Sequence, residues 1–174
     1  MKKLEEYVRS IPDFPEPGII FRDVTSVLQD PDGLKLAIDS MLKLLEGLDF
    51  DVIVGAESRG FIFGAPLAYQ LHKPFVLVRK KGKLPCDTIE KSYDLEYGSA
   101  TIEMHRDSIL PGQKVVVVDD LIATGGTLAA AKNLIEQGGA KVIDFFGVIG
   151  LPALNYEKVL APCKVTTLIN YDGE

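Results

Sequence analysis

Cysteine and histidine are scarce in this chain, and their scarcity removes several chemistries at once. Two cysteines in 174 residues, Cys86 and Cys163, do not form a disulfide framework. The two histidines, His72 and His105, lie far apart and offer neither a metal cluster nor a Ser–His triad. Basic residues are outnumbered, 19 Lys and Arg against 25 Asp and Glu, for a net charge of −6. That balance argues against nucleic acid as a partner, because a phosphate backbone needs a basic face. No apolar run is long enough to span a bilayer, and no basic, apolar leader opens the chain. Internal repeats and low-complexity tracts are missing too. The expectation is a reduced, soluble, cytoplasmic protein with no membrane partner.

What is present suffices for a packed core. The apolar fraction is 47 %, and the length fits one domain over residues 1–174. Residues 2–11 read as a short amphipathic helix, which the proline-rich stretch 12–18 cannot continue. Residues 19–23 read as extended. Asp30-Pro31 is a start signal for a helix whose buried face carries Leu34, Ile38, Met41, Leu45 and Leu48. Continuous apolar runs at 51–56, 75–78, 115–118, 142–149 and 165–169 suit strands covered on both faces. Helical stretches at 60–71, 127–137 and 153–160 separate several of them. This alternation predicts an α/β fold in three layers, a mainly parallel twisted sheet with helices on both faces, whose ligands bind at the carboxyl ends of the strands. Residues 80–106 break the pattern. They are polar, with alternating character at 93–97 and 100–104 around Gly98-Ser99, and read as a flexible loop and a β-hairpin projecting as a lid.

The most informative segment is Val115-Val-Val-Val-Asp-Asp-Leu-Ile-Ala-Thr-Gly-Gly-Thr127. A buried strand ends in Asp119 and Asp120, which can accept hydrogen bonds from sugar hydroxyls. Ala123, Thr124, Gly125, Gly126 and Thr127 then open a helix and offer backbone N–H groups, hydroxyls and a positive helix end to a phosphate. Neither a P-loop lysine nor a G-x-G-x-x-G after a strand is present, so triphosphate hydrolysis and dinucleotide binding are disfavoured. A polar strand end with a threonine-capped helix is the plain alternative. Because consecutive strand side chains point to opposite faces, the two acids need not share one task.

This segment resembles the phosphoribosyl-diphosphate signature of type I phosphoribosyltransferases. Phe14-Pro-Glu-Pro-Gly-Ile-Ile-Phe-Arg-Asp23, Glu57-Ser-Arg-Gly-Phe61, Arg79-Lys-Lys-Gly-Lys-Leu-Pro85 and Ser92-Tyr-Asp-Leu-Glu-Tyr-Gly98 narrow the likeness. Together they resemble the adenine phosphoribosyltransferase family over nearly the whole chain.

The resemblance implies that adenine and 5-phosphoribosyl 1-diphosphate give AMP and diphosphate, with Mg²⁺ carried mainly by the diphosphate substrate and no dedicated protein metal ligands. It assigns the 5′-phosphate to residues 123–127 and the ribose to Asp119 and Asp120. The diphosphate goes to Glu57, Ser58, Arg59, Lys80 and Lys83. It further implies a cis peptide at Glu57–Ser58. Glu96, Arg59 and Tyr97 become the candidate catalytic residues, and a lid covers about 80–106. The base falls to Ile20, Phe21 and Arg22 within an N-terminal segment of about 12–23: Phe21 stacks on the purine, while the main chain of Ile20 and Arg22 reads adenine's amino edge. Family resemblance also implies a homodimer. A related enzyme for xanthine or hypoxanthine, or a non-catalytic sensor of phosphoribosyl diphosphate, stays open at this point.

Overall fold

The computed structural model describes residues 2–95 and 98–173. A seven-stranded sheet runs in the order β5-β6-β4-β3-β7-β8-β9. Its parallel body comprises β4 (Phe75–Lys80), β3 (Val52–Ala56), β7 (Lys114–Ile122), β8 (Lys141–Gly150) and β9 (Lys164–Asn170). Every residue of β3 is buried, as are the four valines of β7, which is why these strands read as unbroken apolar runs.

Two apolar layers cover the sheet. On one face lie α2 (Pro31–Leu45) and α3 (Arg59–Leu71), packing Met41, Leu45, Phe63 and Leu67 against Val116 and Val118. On the other, α4 (Gly126–Gln137) packs Leu128, Leu134 and Ile135 against Val115 and Val117. The chain leaves β3 through α3 toward β4, and leaves β7 through α4 toward β8. Crossovers therefore diverge between β3 and β7, and that switch point is where a doubly wound sheet opens a crevice at its strand ends. The start of α2 follows the sequence signal: Asp30 Oδ1 accepts from the N–H groups of Asp32 (2.9 Å) and Gly33 (3.2 Å), with Pro31 in the first turn.

Several elements differ from expectation. The helix expected over 2–11 is only a 3-10 turn, Leu4–Tyr7, followed by β1 (Arg9–Pro12). Ile11 precedes a proline, which disfavours helix, and β1 finds an antiparallel partner in β2 (Ile20–Asp23). Ser26 fixes the changeover, accepting from the Arg9 N–H and donating to the Tyr7 carbonyl. The short α1 (Thr25–Gln29) has no counterpart among the expected elements. The helix expected over 153–160 is broken at Asn155 (φ 60°) into a 3-10 turn, Pro152–Leu154, and α5 (Tyr156–Leu160). Asparagine tolerates that left-handed conformation better than most residues.

The hairpin consists of β5 (Thr88–Asp94) and β6 (Ser99–His105), and it does not simply project. β6 pairs with β4 through Arg79–Glu103 and Lys80–Ile102, so both strands extend the main sheet. Ile102, Glu103 and Met104 are buried.

Candidate active site

At the switch point, β3 delivers a tight turn. The Glu57–Ser58 peptide is cis, as the sequence resemblance implies. α3 begins directly after it at Arg59, with Gly60 facing β7 so closely that a Cβ there would lie 2.7 Å from the Val118 carbonyl oxygen. The absent side chain lets the diphosphate-turn candidate sit against the strand that carries the two aspartates.

Those aspartates occupy an irregular part of β7, which continues to Ile122 rather than stopping after the valines. Val116, Val118 and Leu121 pack with the α3-side layer, whereas Val115, Val117 and Ile122 pack with the α4-side layer. The alternation thus slips by one residue across Asp119 and Asp120. Ladder pairing passes from Asp119–Gly147 to Leu121–Ile149, and the Asp120 N–H donates instead to Asp119 Oδ1 at 2.9 Å. As a result both acids line one cavity, which a regular strand would not allow.

That cavity, of about 280 Å³, is lined by Glu57, Ser58, Arg59, Lys80, Asp119, Asp120, Leu121 and Thr127. Arg59 donates through Nε to Asp120 Oδ2. Among the described residues its terminal nitrogens make no internal hydrogen bond, leaving them for an anion. The Asp120 bond, with the nearby charges of Asp119 and Asp23, raises the Arg59 pKa and keeps the guanidinium charged. Asp119 is held well above the usual carboxylate range, first by burial and then by the Asp120 charge.

A second cavity, of about 110 Å³, adjoins the first and is lined by Asp119 and residues 121–128. Gly125 turns the chain with φ +84°, and α4 starts at Gly126 without a side-chain cap. The first helical bond runs from the Ala129 N–H to the Gly125 carbonyl. The N–H groups of Gly126, Thr127 and Leu128 therefore have no intrahelical acceptor, and the helix supplies a ready cradle for an anion.

Glu57 uses its carboxylate within the protein. Oε2 accepts from the Lys80 N–H at 2.6 Å and Oε1 pairs with Arg79 at 3.2 Å. Burial alone would raise its pKa, but the Lys80 amide and Arg79 outweigh that and lower it. Lys80 reaches the main cavity and Lys83 does not line it. Ile20, Phe21 and Arg22 lie on β2, outside both linings. Asp23, at the end of that strand, is held below the usual carboxylate range first by the Thr25 hydroxyl and then by further contacts that include the charge of Arg59. Phe21 is 37 % exposed and meets Phe14 edge-on at 5.3 Å. The Arg22 guanidinium lies 4.0 Å above the Tyr171 ring, so its side chain anchors the segment while its backbone is in the β1–β2 ladder. Glu96 and Tyr97 fall outside the described residues.

Sequence reasoning missed three contributors. Leu121 lines both cavities. The Tyr93 hydroxyl on β5 bonds Thr127 Oγ1 at 3.1 Å, tying the hairpin to the phosphate-loop candidate. Glu103 on β6 accepts from the N–H groups of Lys83 (2.9 Å) and Leu84 (2.8 Å). Tyr93 stands in a recognised motif, but no local signal joins it to Thr127.

Comparison with known proteins agrees with this geometry. A family model described as phosphoribosyl transferase domain matches residues 23–172. An adenine phosphoribosyltransferase of Agathobacter rectalis is 65 % identical over 174 residues, the full length of both chains. That of Butyrivibrio fibrisolvens is 73 % identical over 155 residues, covering 89 % of this chain and 86 % of its own. The crystal structure of the Thermoanaerobacter pseudethanolicus enzyme superposes with a TM-score of 0.92 at 46 % identity, over 97 % of this chain and 100 % of that one. The Saccharomyces cerevisiae enzyme, crystallised with an imino-altritol bisphosphate and adenine, gives 0.86 at 39 % identity over 95 % and 96 %. With a cleft built from the family's signature segments and relatives matched from end to end, the chain belongs to the adenine phosphoribosyltransferase family.

Proposed function

We infer that the protein transfers the phosphoribosyl group of 5-phosphoribosyl 1-diphosphate to adenine, releasing AMP and diphosphate in purine salvage. One observation carries the reading: the Glu57–Arg59 turn, the paired aspartates and the glycine turn before α4 converge on adjoining cavities at one switch point. The order of these parts, with Asp119 shared by both cavities, suits a ligand with phosphate at one end, a diol in the middle and a diphosphate at the other.

The 5′-phosphate sits on the amides of Gly126–Leu128 and the hydroxyls of Thr124 and Thr127. Asp119 and Asp120 accept from the ribose hydroxyls. Arg59, the Ser58 turn and Lys80 meet the diphosphate, joined by Lys83 from the same basic segment. An adenine imidazole nitrogen attacks C1′ as the C1′–oxygen bond to diphosphate breaks. The leaving group takes the bonding electrons, and the nitrogen sheds its proton. Positive charge builds on the ribose ring during this exchange, by analogy with other glycosyl chemistry. The chain contributes mainly positioning and stabilisation of the departing diphosphate.

By family resemblance Glu96 manages the proton on the base, and Tyr97 helps exclude competing water. The adenine ring stacks on exposed Phe21. The backbone of Ile20 and Arg22 reads its amino edge, a donor and acceptor pattern that a 6-oxo purine reverses. Because β6 pairs with β4 and buries Ile102, Glu103 and Met104 in the main sheet, closing motion over the site leaves that end of the strand in place.

Mg²⁺ fits as a companion of the substrate. Among the described residues no group of three His, Cys, Asp or Glu is placed to hold a metal; of the three carboxylates that line the cleft, Glu57 is held by Arg79 and the Lys80 N–H, and Asp120 by Arg59. Asp119 and Asp120 are the carboxylates of this chain that would face a hard, oxygen-seeking cation carried in with the substrate. When bound it neutralises charge on the diphosphate.

A homodimer is the proposed assembly. Ile62 and Tyr69, 44 % and 83 % exposed, stand with Ala65 on the outward face of α3, an apolar surface suited to a second copy. The free thiols of Cys86 and Cys163 suit a reducing cytoplasm.

A base panel with 5-phosphoribosyl 1-diphosphate and Mg²⁺ tests the reading. Diphosphate release with adenine, and little with hypoxanthine or xanthine, is expected. Preferred turnover of a 6-oxo purine, or saturable binding with no diphosphate release from any base, would overturn it.

A further inference from the structure

We propose that Glu103 is a positioning residue for the diphosphate site: its buried carboxylate is the anchor around which the basic segment 79–84 is shaped. The proposal rests on the reading that this segment receives the diphosphate.

Glu103 is only 4 % exposed, and no Lys or Arg pairs with it among the described residues. An unpaired buried carboxylate is costly unless hydrogen bonds satisfy it. Here the partners are the two loop amides: Oε1 accepts from both Lys83 and Leu84. An apolar residue would pack in the strand at least as well, so the distinct product of the carboxylate is the path of the loop.

The same segment is held elsewhere by groups of the cleft. Glu57 takes the Lys80 N–H, and Arg79, itself paired with Glu57, donates to the Lys83 carbonyl at 3.3 Å. The Lys81 N–H donates to the Thr101 carbonyl at 3.0 Å, and Gly82 turns with φ +85°. Two carboxylates, Glu57 at the start and Glu103 at the end, thus take three of the segment's backbone donors, those of Lys80, Lys83 and Leu84. The ammonium groups of Lys80 and Lys83 make no ion pair among the described residues, although the protein is acidic. Inward acids fix the backbone and leave these cations for a ligand.

Steady-state kinetics of the full-length protein, with E103Q, K83M and the double variant, tests this. E103Q should raise KM for 5-phosphoribosyl 1-diphosphate about tenfold, the size of a lost charge-assisted hydrogen bond, and leave KM for adenine unchanged. On the K83M background E103Q should add much less, because both act through one contact. D144N neutralises another buried carboxylate, 1 % exposed on β8 and bonded to Thr166. It should move neither KM. If K83M raises KM and E103Q does not, Glu103 has no positioning role and the loop reading stands. If K83M leaves KM unchanged, the loop reading falls and the inference with it. If E103Q and D144N shift both KM values alike, Glu103 is merely structural. Should E103Q not fold, amide exchange on the unaltered protein decides: slow exchange at Lys83 and Leu84 with and without substrate supports the anchor, and exchange at the rate of open chain overturns it.

Discussion

Replacing Gly60 with alanine tests whether the approach of α3 to β7 matters to the chemistry. The added Cβ would lie 2.7 Å from the Val118 carbonyl oxygen and 3.2 Å from both Cα and Oδ1 of Asp119. Ordinary contact begins at 3.4 Å, so the start of α3 must retreat by about 0.7 Å against backbone that cannot yield easily. That shift separates Arg59 and the Ser58 turn from the paired aspartates. A misplacement approaching 1 Å at reacting groups costs on the order of 30- to 100-fold in kcat/KM. Overpacking at this contact also costs about 1–3 kcal/mol of stability, roughly 2–12 °C in Tm for a chain of this size. A Cβ added at Gly47 would meet nothing within 4 Å, so G47A is the matched control, expected to stay within about 0.5 kcal/mol. Initial rates with adenine and thermal unfolding by circular dichroism read both effects. A G60A protein that loses stability yet keeps kcat/KM would refute the link between this contact and the site; one unchanged in both would refute the contact itself.

Three further outcomes are expected. R59Q removes the bond to Asp120 and the free guanidinium nitrogens, so kcat/KM should fall about 10- to 100-fold; the half-exposed position keeps the stability loss to about 2 kcal/mol or less, and unchanged kinetics would exclude the role. Y93F deletes the hydroxyl bonded to Thr127 and should weaken AMP binding up to about tenfold, measured by calorimetry, whereas unaltered AMP affinity would show the bond to be incidental. Asp119, raised mainly by burial, becomes a better acceptor for ribose hydroxyls once ionised, so binding of substrate should lower its pKa and release a proton between the ordinary carboxylate range and the raised value. Affinity then rises with pH through that window, while the unliganded fold loses stability as the same group ionises. Calorimetry in buffers of different ionisation enthalpy should detect the proton in the unaltered protein and not in D119N; buffer-independent heats would contradict this.

The parallel body is legible in the sequence because its strands are buried on both faces and read as continuous apolar runs. The α2 start is equally plain, since Asp30 and Pro31 act locally. The N-terminal stretch misleads because the spacing of Leu4, Val8 and Ile11 serves a short helix, and only the pairing of β1 with β2 decides otherwise. The phosphate-loop candidate can be proposed from residue chemistry, whereas the diphosphate turn and base segment need family likeness. Neither route reaches the slip in β7, the Tyr93–Thr127 bond or the Glu103 anchor. Each depends on contacts between residues distant in sequence or on a local break in alternation, for which no pattern of residue types is diagnostic.

The central claim is that one cleft holds the sugar phosphate with its phosphate on the turn before α4 and its diol on Asp119 and Asp120. A crystal structure of the protein with AMP tests it most directly. The account predicts the 5′-phosphate within hydrogen-bond distance of the Gly126 and Thr127 amides and the ribose hydroxyls on the two aspartates. The same phosphate bound at the Ser58–Arg59 turn, with the glycine turn empty, would contradict it.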